Sequence, residues 1–277
     1  MAVYRFLDLG TAKPTPAERA TAPWHLIDIV DPSEEFSVAA FQSHARHALT
    51  VIDGRGKVPV LVGGTGLYHR ALLDELEIPG RFPEVATALE RDAERPGGLA
   101  ELFRRLCELD PVAASRIEAG NRRRIVRALE VTLGSGRPFS SFGPGLVTYP
   151  PTHSIIIGLE LGRNELDRRL AERFEKQLDR GLLDEVRALA TRTPGLSRTA
   201  RQAIGYRELL AHVEEGVPLE KAKAEALRRL RTFARRQEAW FKRDPRVEWI
   251  RADRSDLAHS VGARLGDAAA GRAVRHC

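Results

Sequence analysis

The sequence has little cysteine, which excludes a disulfide framework and a cysteine-rich metal site. Cys107 and Cys277 are far apart in the chain, whereas disulfide-stapled domains use several closely spaced cysteines. No apolar run approaches the roughly 20 residues of a membrane-spanning helix. Residues 1–8 also lack the basic and then apolar order of a signal peptide. We therefore expect a cytoplasmic protein that does not bind a membrane.

Several catalytic motifs are missing from the 277 residues. There is no G-x-S-x-G, which argues against a serine-hydrolase nucleophile, and no H-E-x-x-H, which argues against zinc catalysis. The G-x-x-x-x-G-K-[ST] phosphate loop is absent as well. The eight histidines show no metal-ligand spacing. No metal-ligating residue is therefore predicted.

Lysine is scarce and arginine abundant: 6 Lys and 38 Arg among 44 basic residues, with a net charge of +6. A GC-rich coding bias and an anionic partner are both consistent with this excess. Its distribution favours the partner, since residues 228–243 hold seven basic residues and one acid on a predicted helix. Arginines cluster again at 122–127. Two basic helical faces are typical of a nucleic-acid-binding protein and favour RNA.

The order of apolar segments predicts an α/β fold with a parallel sheet. We predict strands at 24–30, 58–62 and 154–159, with the continuous apolar run 58–62 buried on both faces. Helix-periodic stretches dominate the rest, including 37–53, 199–215 and 219–243. This pattern predicts an α/β core from residues 1–78 and 146–277, interrupted by a helical insertion domain at 79–145.

A glycine-rich turn, Gly63-Gly64-Thr65-Gly66, follows the predicted strand 58–62 and precedes a helix. Amides at such a turn can hold a phosphate at the carboxyl end of a strand. Alternatively, the glycines only permit a tight turn. Two roles are also open for Asp8 and Lys13: their side chains could contact a ligand, or they could only shape the loop.

Seven ordered blocks of the sequence resemble the tRNA dimethylallyltransferases, also called tRNA isopentenyltransferases. The first block, Asp8-Leu9-Gly10-Thr11-Ala12-Lys13-Pro14, resembles the family's D-[IL]-G-T-A-K-P signature. The other blocks lie at 24–28, 36–41, 62–68, 124–130 and 203–208, and they are followed by A-R-R-Q at 234–237 with Trp240 and Phe241.

The resemblance implies a P-loop NTPase-like core and a defined reaction. A dimethylallyl group passes from its diphosphate to the exocyclic amine of the adenosine 3′ of the tRNA anticodon, with Mg²⁺ assisting the diphosphate. A base takes the amine proton while cationic groups stabilise the leaving diphosphate. The implied partners are the tRNA anticodon stem–loop and dimethylallyl diphosphate, and we expect a monomer.

The resemblance also implies site residues. Thr65 is the expected catalytic residue, in contact with both the diphosphate and the tRNA. Gly63, Gly64 and Arg173 are expected at the diphosphate. The remaining expected tRNA contacts are Arg123, Arg124, Ile125, Val126, Arg127, Arg201, Gln202, Gly205, Tyr206, Arg207, Arg235, Arg236 and Gln237.

Two departures from the family pattern stand out. Family members have a further strand, a G-[PA]-T-[AG]-[ST]-G-K-[ST] phosphate loop and a catalytic aspartate, starting about 40 residues before the segment equivalent to Met1. Phe6 also replaces a usual glycine. We therefore expect a sheet that lacks its first strand, with an exposed central edge, and a chain that does not catalyse the transfer alone. A misplaced gene start explains this, and so does a catalytically dead tRNA-binding remnant.

Overall fold

The structure, a computed structural model, describes residues 1–143, 145, 146 and 148–273, with side chains described up to 266. It divides into two compact units. The first comprises Met1–His69 and Thr152–Cys277, and the second is Arg70–Pro151. The predicted insertion 79–145 falls within the second unit.

The first unit contains a small parallel sheet and most of the helices. β1 (Ile156–Glu160) pairs in parallel with β2 (Val247–Arg251). An isolated parallel bridge joins Tyr4 to Val30. The helices are α1 (Pro16–Thr21), α2 (Val38–Asp53), α3 (Gly66–Leu73, which continues into the second unit), α8 (Arg163–Asp179), α9 (Leu182–Ala190), α10 (Arg198–Arg201), α11 (Tyr206–Glu215), α12 (Leu219–Phe241) and α13 (Leu257–Ala273).

The second unit is helical. It contains α4 (Pro83–Glu94), α5 (Gly98–Leu109), α6 (Pro111–Ala114), α7 (Arg122–Ser135) and a 3₁₀ turn at Phe139–Ser141. Its core includes Leu89, Leu106 and Leu129. The buried Asp110 carboxylate caps α6 by accepting from the Ala113 amide at 2.9 Å, and also accepts from the Ser140 amide at 2.7 Å. Such capping satisfies backbone groups that a helix end leaves unpaired.

Local sequence signals explain where the helices begin and end. Ser37 caps α2, its hydroxyl accepting from the Ala40 amide at 3.2 Å. Asn121 caps α7 in the same manner, and Gly136 ends that helix with a left-handed φ of 70°. One predicted helix is divided: 199–215 forms α10 and α11, because Gly205 between them has a φ of 91°, which only glycine adopts readily.

The predicted buried strand 58–62 is wrong. The segment is not a strand, and Val60 and Val62 are 59% and 77% exposed. Strand 24–30 contracts to the bridge at Val30, since Leu26 and Asp28 have positive φ angles that break an extended conformation. Strand 154–159 forms as β1, but Leu159 is exposed. Apolar composition predicted burial, and within the described residues no strand pairs with 58–62.

Phe6, which stands where the family usually has glycine, adopts the left-handed conformation with φ 65°. Such a φ is unfavourable for a bulky side chain and is readily adopted by glycine. The Arg192 guanidinium lies over its ring at 4.4 Å from the centroid. The turn at Phe6 therefore has a backbone conformation that glycine would adopt with less strain.

No helix among the described residues is both long enough and apolar enough to cross a bilayer.

Candidate functional site

The glycine-rich turn at 63–66 packs against the last turns of α12. The Gln237 side-chain amide donates to the carbonyl oxygen of Gly64 at 3.0 Å. A Cβ added at Gly64 would fall 1.9 Å from Gln237 Nε2, and one at Gly66 would fall 2.0 Å from Trp240 Cδ1. Both distances are far below van der Waals contact. These glycines are therefore needed for the close approach of α12.

His69 holds the same turn from α3. Its Nε2 lies 3.0 Å from the carbonyl oxygen of Gly63, and because a carbonyl only accepts, Nε2 carries the proton. The ring meets Phe241 edge to face, with centroids 5.4 Å apart. Burial lowers the pKa of His69, and the hydrogen bond to Gly63 opposes this effect. The neutral Nε2–H tautomer therefore fits the site.

Thr65 is exposed at the tip of this turn. Its carbonyl oxygen accepts from the amides of Tyr68 at 2.8 Å and His69 at 3.2 Å, which starts α3. Tyr68 in turn stacks on Phe41 of α2, with centroids 4.4 Å apart. The backbone of Thr65 is thus fixed from several sides while its hydroxyl stays available to a ligand.

A second loop, Asp8–Gly10, is fixed by helices α9 and α11. The Glu185 carboxylate accepts from the amides of Asp8 at 3.1 Å and Leu9 at 3.0 Å. The Tyr206 hydroxyl donates to Glu185 at 2.5 Å and accepts from the Gly10 amide at 3.0 Å. A Cβ at Gly10 would fall 2.4 Å from the Tyr206 ring. Glycine is therefore required where the signature loop meets Tyr206.

Lys13 shapes this loop. Its ammonium donates to Asp8 at 2.6 Å and Asp28 at 2.5 Å, and the Lys13 side chain is buried. Burial tends to raise the pKa of Asp28, but hydrogen bonds from Lys13 and Arg19 outweigh it and hold the pKa below its usual value. Of the two roles considered for Lys13, the contacts favour the loop-forming one.

The basic face of α12 is smaller than its sequence predicts. Arg228 pairs with Glu225 at 2.6 Å, Arg229 with Glu208 at 3.0 Å, and Lys242 with Glu238 at 2.6 Å. Arg231 lies 3.9 Å from Asp167 of α8. Glu225, Glu208 and Asp167 lie outside residues 228–243, so counting charges in that segment misses them.

Two exposed arginines of α12, Arg235 and Arg236, have no acidic partner among the described residues, and neither does Arg243 just beyond the end of the helix. At 100° per residue Arg235 lies on the far side of the helix from Gln237, Trp240 and Phe241, and Arg236 lies at the edge of their face, about 40° from Trp240. One helix therefore contacts the turn with one face and presents unpaired positive charge on another.

The arginine cluster of α7 divides in the same way. Arg122 pairs with Glu90 at 2.6 Å, and Arg127 with Glu130 at 2.8 Å. Arg123 and Arg124 are exposed and have no acidic partner in the described part of the chain. They are the α7 residues best placed to contact a polyanion.

Two of the α7 residues expected at tRNA have side chains that face inward. Ile125 and Val126 are buried in the core of the helical unit. Their side chains therefore cannot contact an RNA bound at the surface. The resemblance marked a segment of chain, and within a helix alternate parts of a segment face opposite ways.

The 201–207 block also separates into two groups. Arg201, Gln202 and Arg207 are exposed, although Arg201 donates to Glu214 at 3.1 Å. Gly205 and Tyr206, which are also expected at tRNA, are buried. Tyr206 fixes the Asp8–Gly10 loop.

The structure brings Gly64 together with Gln237, but it does not connect every predicted residue. Arg173 is exposed on α8, and no described contact joins it to residues 63–66. Across the described residues there is no group of three His, Cys, Asp or Glu side chains placed to hold a metal ion.

Sequence reasoning missed His69, Trp240 and Glu185 as parts of these two loops. Trp240 and the glycines lay in the quoted blocks, but only the fold shows that Gly66 and Trp240 touch. Glu185 lies outside every block that resembles the family, and no motif in the sequence singles it out.

Comparison with known proteins gives one consistent result. The family model described as IPP transferase matches residues 2–244. The tRNA dimethylallyltransferase of Kocuria rhizophila is 47% identical over 250 residues, which cover 90% of this chain and 78% of that protein. The enzyme of the same name from Roseiflexus castenholzii is 47% identical over 263 residues, 94% of this chain and 85% of that protein.

Solved structures agree. The full-length tRNA isopentenylpyrophosphate transferase of Bacillus halodurans superposes with a TM-score of 0.68 at 33% identity, covering 100% of this chain and 88% of that one. A eukaryotic dimethylallyltransferase acting on tRNA superposes with a TM-score of 0.74 at 26% identity, covering 93% of this chain and 66% of that one. The chain therefore belongs to the IPP transferase family, the prenyltransferases that modify tRNA.

Proposed function

We propose that this chain binds the anticodon stem–loop of a tRNA and directs the adenosine 3′ of the anticodon towards Thr65. The observation that carries the proposal is the double role of α12: Gln237 and Trp240 hold the turn beneath Thr65, while Arg235 and Arg236 are exposed. Arginine guanidinium groups match phosphate oxygens bidentately. Arg123, Arg124, Gln202 and Arg207 complete the proposed RNA contacts.

The proposed reaction is displacement at an allylic carbon. The exocyclic nitrogen of adenosine forms a bond to C1 of the dimethylallyl group as the bond from C1 to the diphosphate oxygen breaks. The diphosphate leaves with the electron pair, and a base takes the proton from the amine. Turn amides near Gly63 and Gly64, the Thr65 hydroxyl and Arg173 are the proposed diphosphate contacts. The adenosine must be unstacked to react, which costs less in a loop than in a duplex.

We also propose that this chain needs a further segment to catalyse. The support is the apolar run 58–62, which leads directly into the Thr65 turn and has exposed valines at 58, 60 and 62. Burying such a segment between strands is what its composition favours. The family's first strand and phosphate loop would cover it and supply diphosphate ligands together with the base. Mg²⁺ is proposed to accompany the diphosphate, with no residue described here assigned to it.

Binding is tested with a fluorescently labelled anticodon stem–loop, by anisotropy at several salt concentrations. Replacing Arg235 and Arg236 together with alanine should weaken binding and lower the salt dependence, because each lost phosphate contact reduces the slope by roughly 0.7–0.9. Arg228→Ala is the matched control on the same helix, because Arg228 is already paired with Glu225. Equal effects of the two changes would contradict the proposed RNA face.

The second candidate is a catalytically dead protein that binds tRNA. The exposed arginines would serve RNA binding in either candidate. A chain extended with the amino-terminal segment of the Kocuria rhizophila relative separates the two candidates. Restored transfer of the dimethylallyl group supports an enzyme whose residues remain intact. Tight RNA binding without any transfer in the extended chain supports the remnant.

A further inference from the structure

The Gly63–Thr65 turn has two side chains donating to its successive carbonyl oxygens. His69 donates to Gly63 and Gln237 donates to Gly64, both at 3.0 Å. Carbonyl oxygens held in this way cannot rotate without breaking a hydrogen bond. Because peptide groups are planar, fixing two successive carbonyls also fixes the amides that follow them, including that of Thr65.

Aromatic contacts reinforce both donors. Trp240 fills the space beside Gly66, where a Cβ would lie 2.0 Å from its ring. Phe241 packs edge to face on His69, with an interplanar angle of 89°. Gln237, Trp240 and Phe241 fall on one face of α12, so that a single rigid helix positions the turn and the histidine.

The donors themselves are not placed for RNA contact. Gln237 and His69 are half-buried, whereas the neighbouring Arg235 and Arg236 are exposed. The amide group of Gln237 donates to the Gly64 carbonyl, and a Cβ at that glycine would displace it, since it would fall 1.9 Å from Gln237 Nε2. This geometry argues against the direct tRNA contact expected for Gln237 from the resemblance.

We infer that His69 and Gln237 are positioning residues for Thr65: they set the conformation of its turn and affect tRNA only through it. The inference deepens the proposed function, on which the role of Thr65 rests. On this inference α12 carries the arginines proposed to bind RNA, Arg235 and Arg236, and also holds the turn that orients the Thr65 hydroxyl.

The first test measures the turn directly and needs no RNA. Hydrogen–deuterium exchange reports the amides of Tyr68 and His69, which donate to the Thr65 carbonyl. Gln237→Met keeps the length of the side chain and removes the donor. It should speed exchange of these amides by roughly threefold or more, while exchange in α7 of the other unit stays unchanged as a folding control. Unchanged exchange at 68 and 69 would overturn the inference.

His69 provides an independent variant. His69→Phe keeps a ring against Phe241 but cannot donate to Gly63, so the same amides should exchange faster. His69→Gln restores a donor and should rescue slow exchange. Slow exchange in His69→Phe together with fast exchange in His69→Gln would show that ring packing rather than the hydrogen bond sets the conformation, and would overturn the inference for His69.

The second test separates positioning from direct contact through affinity for the anticodon stem–loop. Gln237→Met should weaken binding in the wild-type chain and have no further effect in a Thr65→Val background. Arg236→Met, at the adjacent exposed position, should weaken binding equally in both backgrounds and leave exchange unchanged. An equal loss for Gln237→Met in both backgrounds would show direct contact. If no variant binds the stem–loop, the proposed function fails, and the exchange data still decide on the positioning of the turn.

Discussion

Replacing Tyr206 with phenylalanine should lower stability and leave RNA affinity unchanged. The hydroxyl donates to the Glu185 carboxylate at 2.5 Å and accepts from the Gly10 amide at 3.0 Å. The side chain is 1% exposed, so water cannot replace either bond. Burial raises the pKa of Tyr206 well above its usual value, and the hydrogen bond to Glu185 adds to this, so the hydroxyl stays protonated and able to donate.

The expected loss follows from these two bonds. A hydrogen bond to a charged group contributes about 1.5–3 kcal/mol, and a neutral one about 0.5–1.5 kcal/mol. Glu185 keeps the amides of Asp8 and Leu9 after the substitution, which moderates the loss. We expect Tyr206→Phe to lower the free energy of unfolding by about 2–3 kcal/mol, measured by urea denaturation.

The adjacent Arg207 supplies the matched contrast, because it is exposed. Arg207→Ala should change stability by less than about 0.5 kcal/mol and weaken binding of the anticodon stem–loop. The reasoning is refuted if Tyr206→Phe is as stable as the wild type. It is equally refuted if Tyr206→Phe weakens RNA binding as much as Arg207→Ala does at a temperature where both are folded.

Three further predictions concern charge, pH and packing. Changing Arg123 and Arg124 together to alanine should reduce the slope of log binding constant against log salt concentration by roughly 1.4–1.8 for the stem–loop. Arg122→Ala should change the slope little, because Arg122 is already paired with Glu90. Equal slopes in the two variants would contradict this prediction. Because the pKa of His69 is lowered in the folded chain, its neutral form contributes stability above about pH 6.5 that is lost as the pH falls through the folded-state pKa. His69→Gln should therefore lose less stability than the wild type between pH 7.5 and 5.5 in thermal denaturation, and identical losses would show that His69 does not titrate with folding. Gly134→Ala should destabilise the helical unit by about 1–3 kcal/mol, because the added Cβ would fall 2.1 Å from Phe82 Cγ. Alanine ordinarily stabilises a helix, so a higher free energy of unfolding in urea denaturation would mean that Phe82 moves freely.

Local signals predicted the helices well because their causes are local. Ser37 caps the start of α2 and Asn121 caps the start of α7, whereas α4 and α5 have no side-chain cap and are indicated by their apolar spacing alone. The run 58–62 was predicted as a strand from composition alone. A strand also needs a partner, and no described residue pairs with it.

The ion-pair partners and the side-chain contacts could not be predicted without the fold. Arg229 pairs within α12 with Glu225 at 3.2 Å, a partner that spacing could suggest, but its second partner Glu208 lies on α11, 21 residues away. Tyr206 lies in a block that resembles the family, yet only the structure shows that its ring packs against Gly10. Sequence similarity identifies residues that matter to a family without separating those that touch the ligand from those that hold the loop.

The central proposal is that this chain binds tRNA through the exposed arginines near the Thr65 turn and needs a further strand and phosphate loop for catalysis. The most direct measurement is the incorporation of a labelled dimethylallyl group into tRNA by the purified chain, with and without the amino-terminal segment of the Kocuria rhizophila relative fused to it. The account predicts RNA binding by both proteins and transfer by the extended one alone. Transfer by the unextended chain at the rate of the extended one would contradict it.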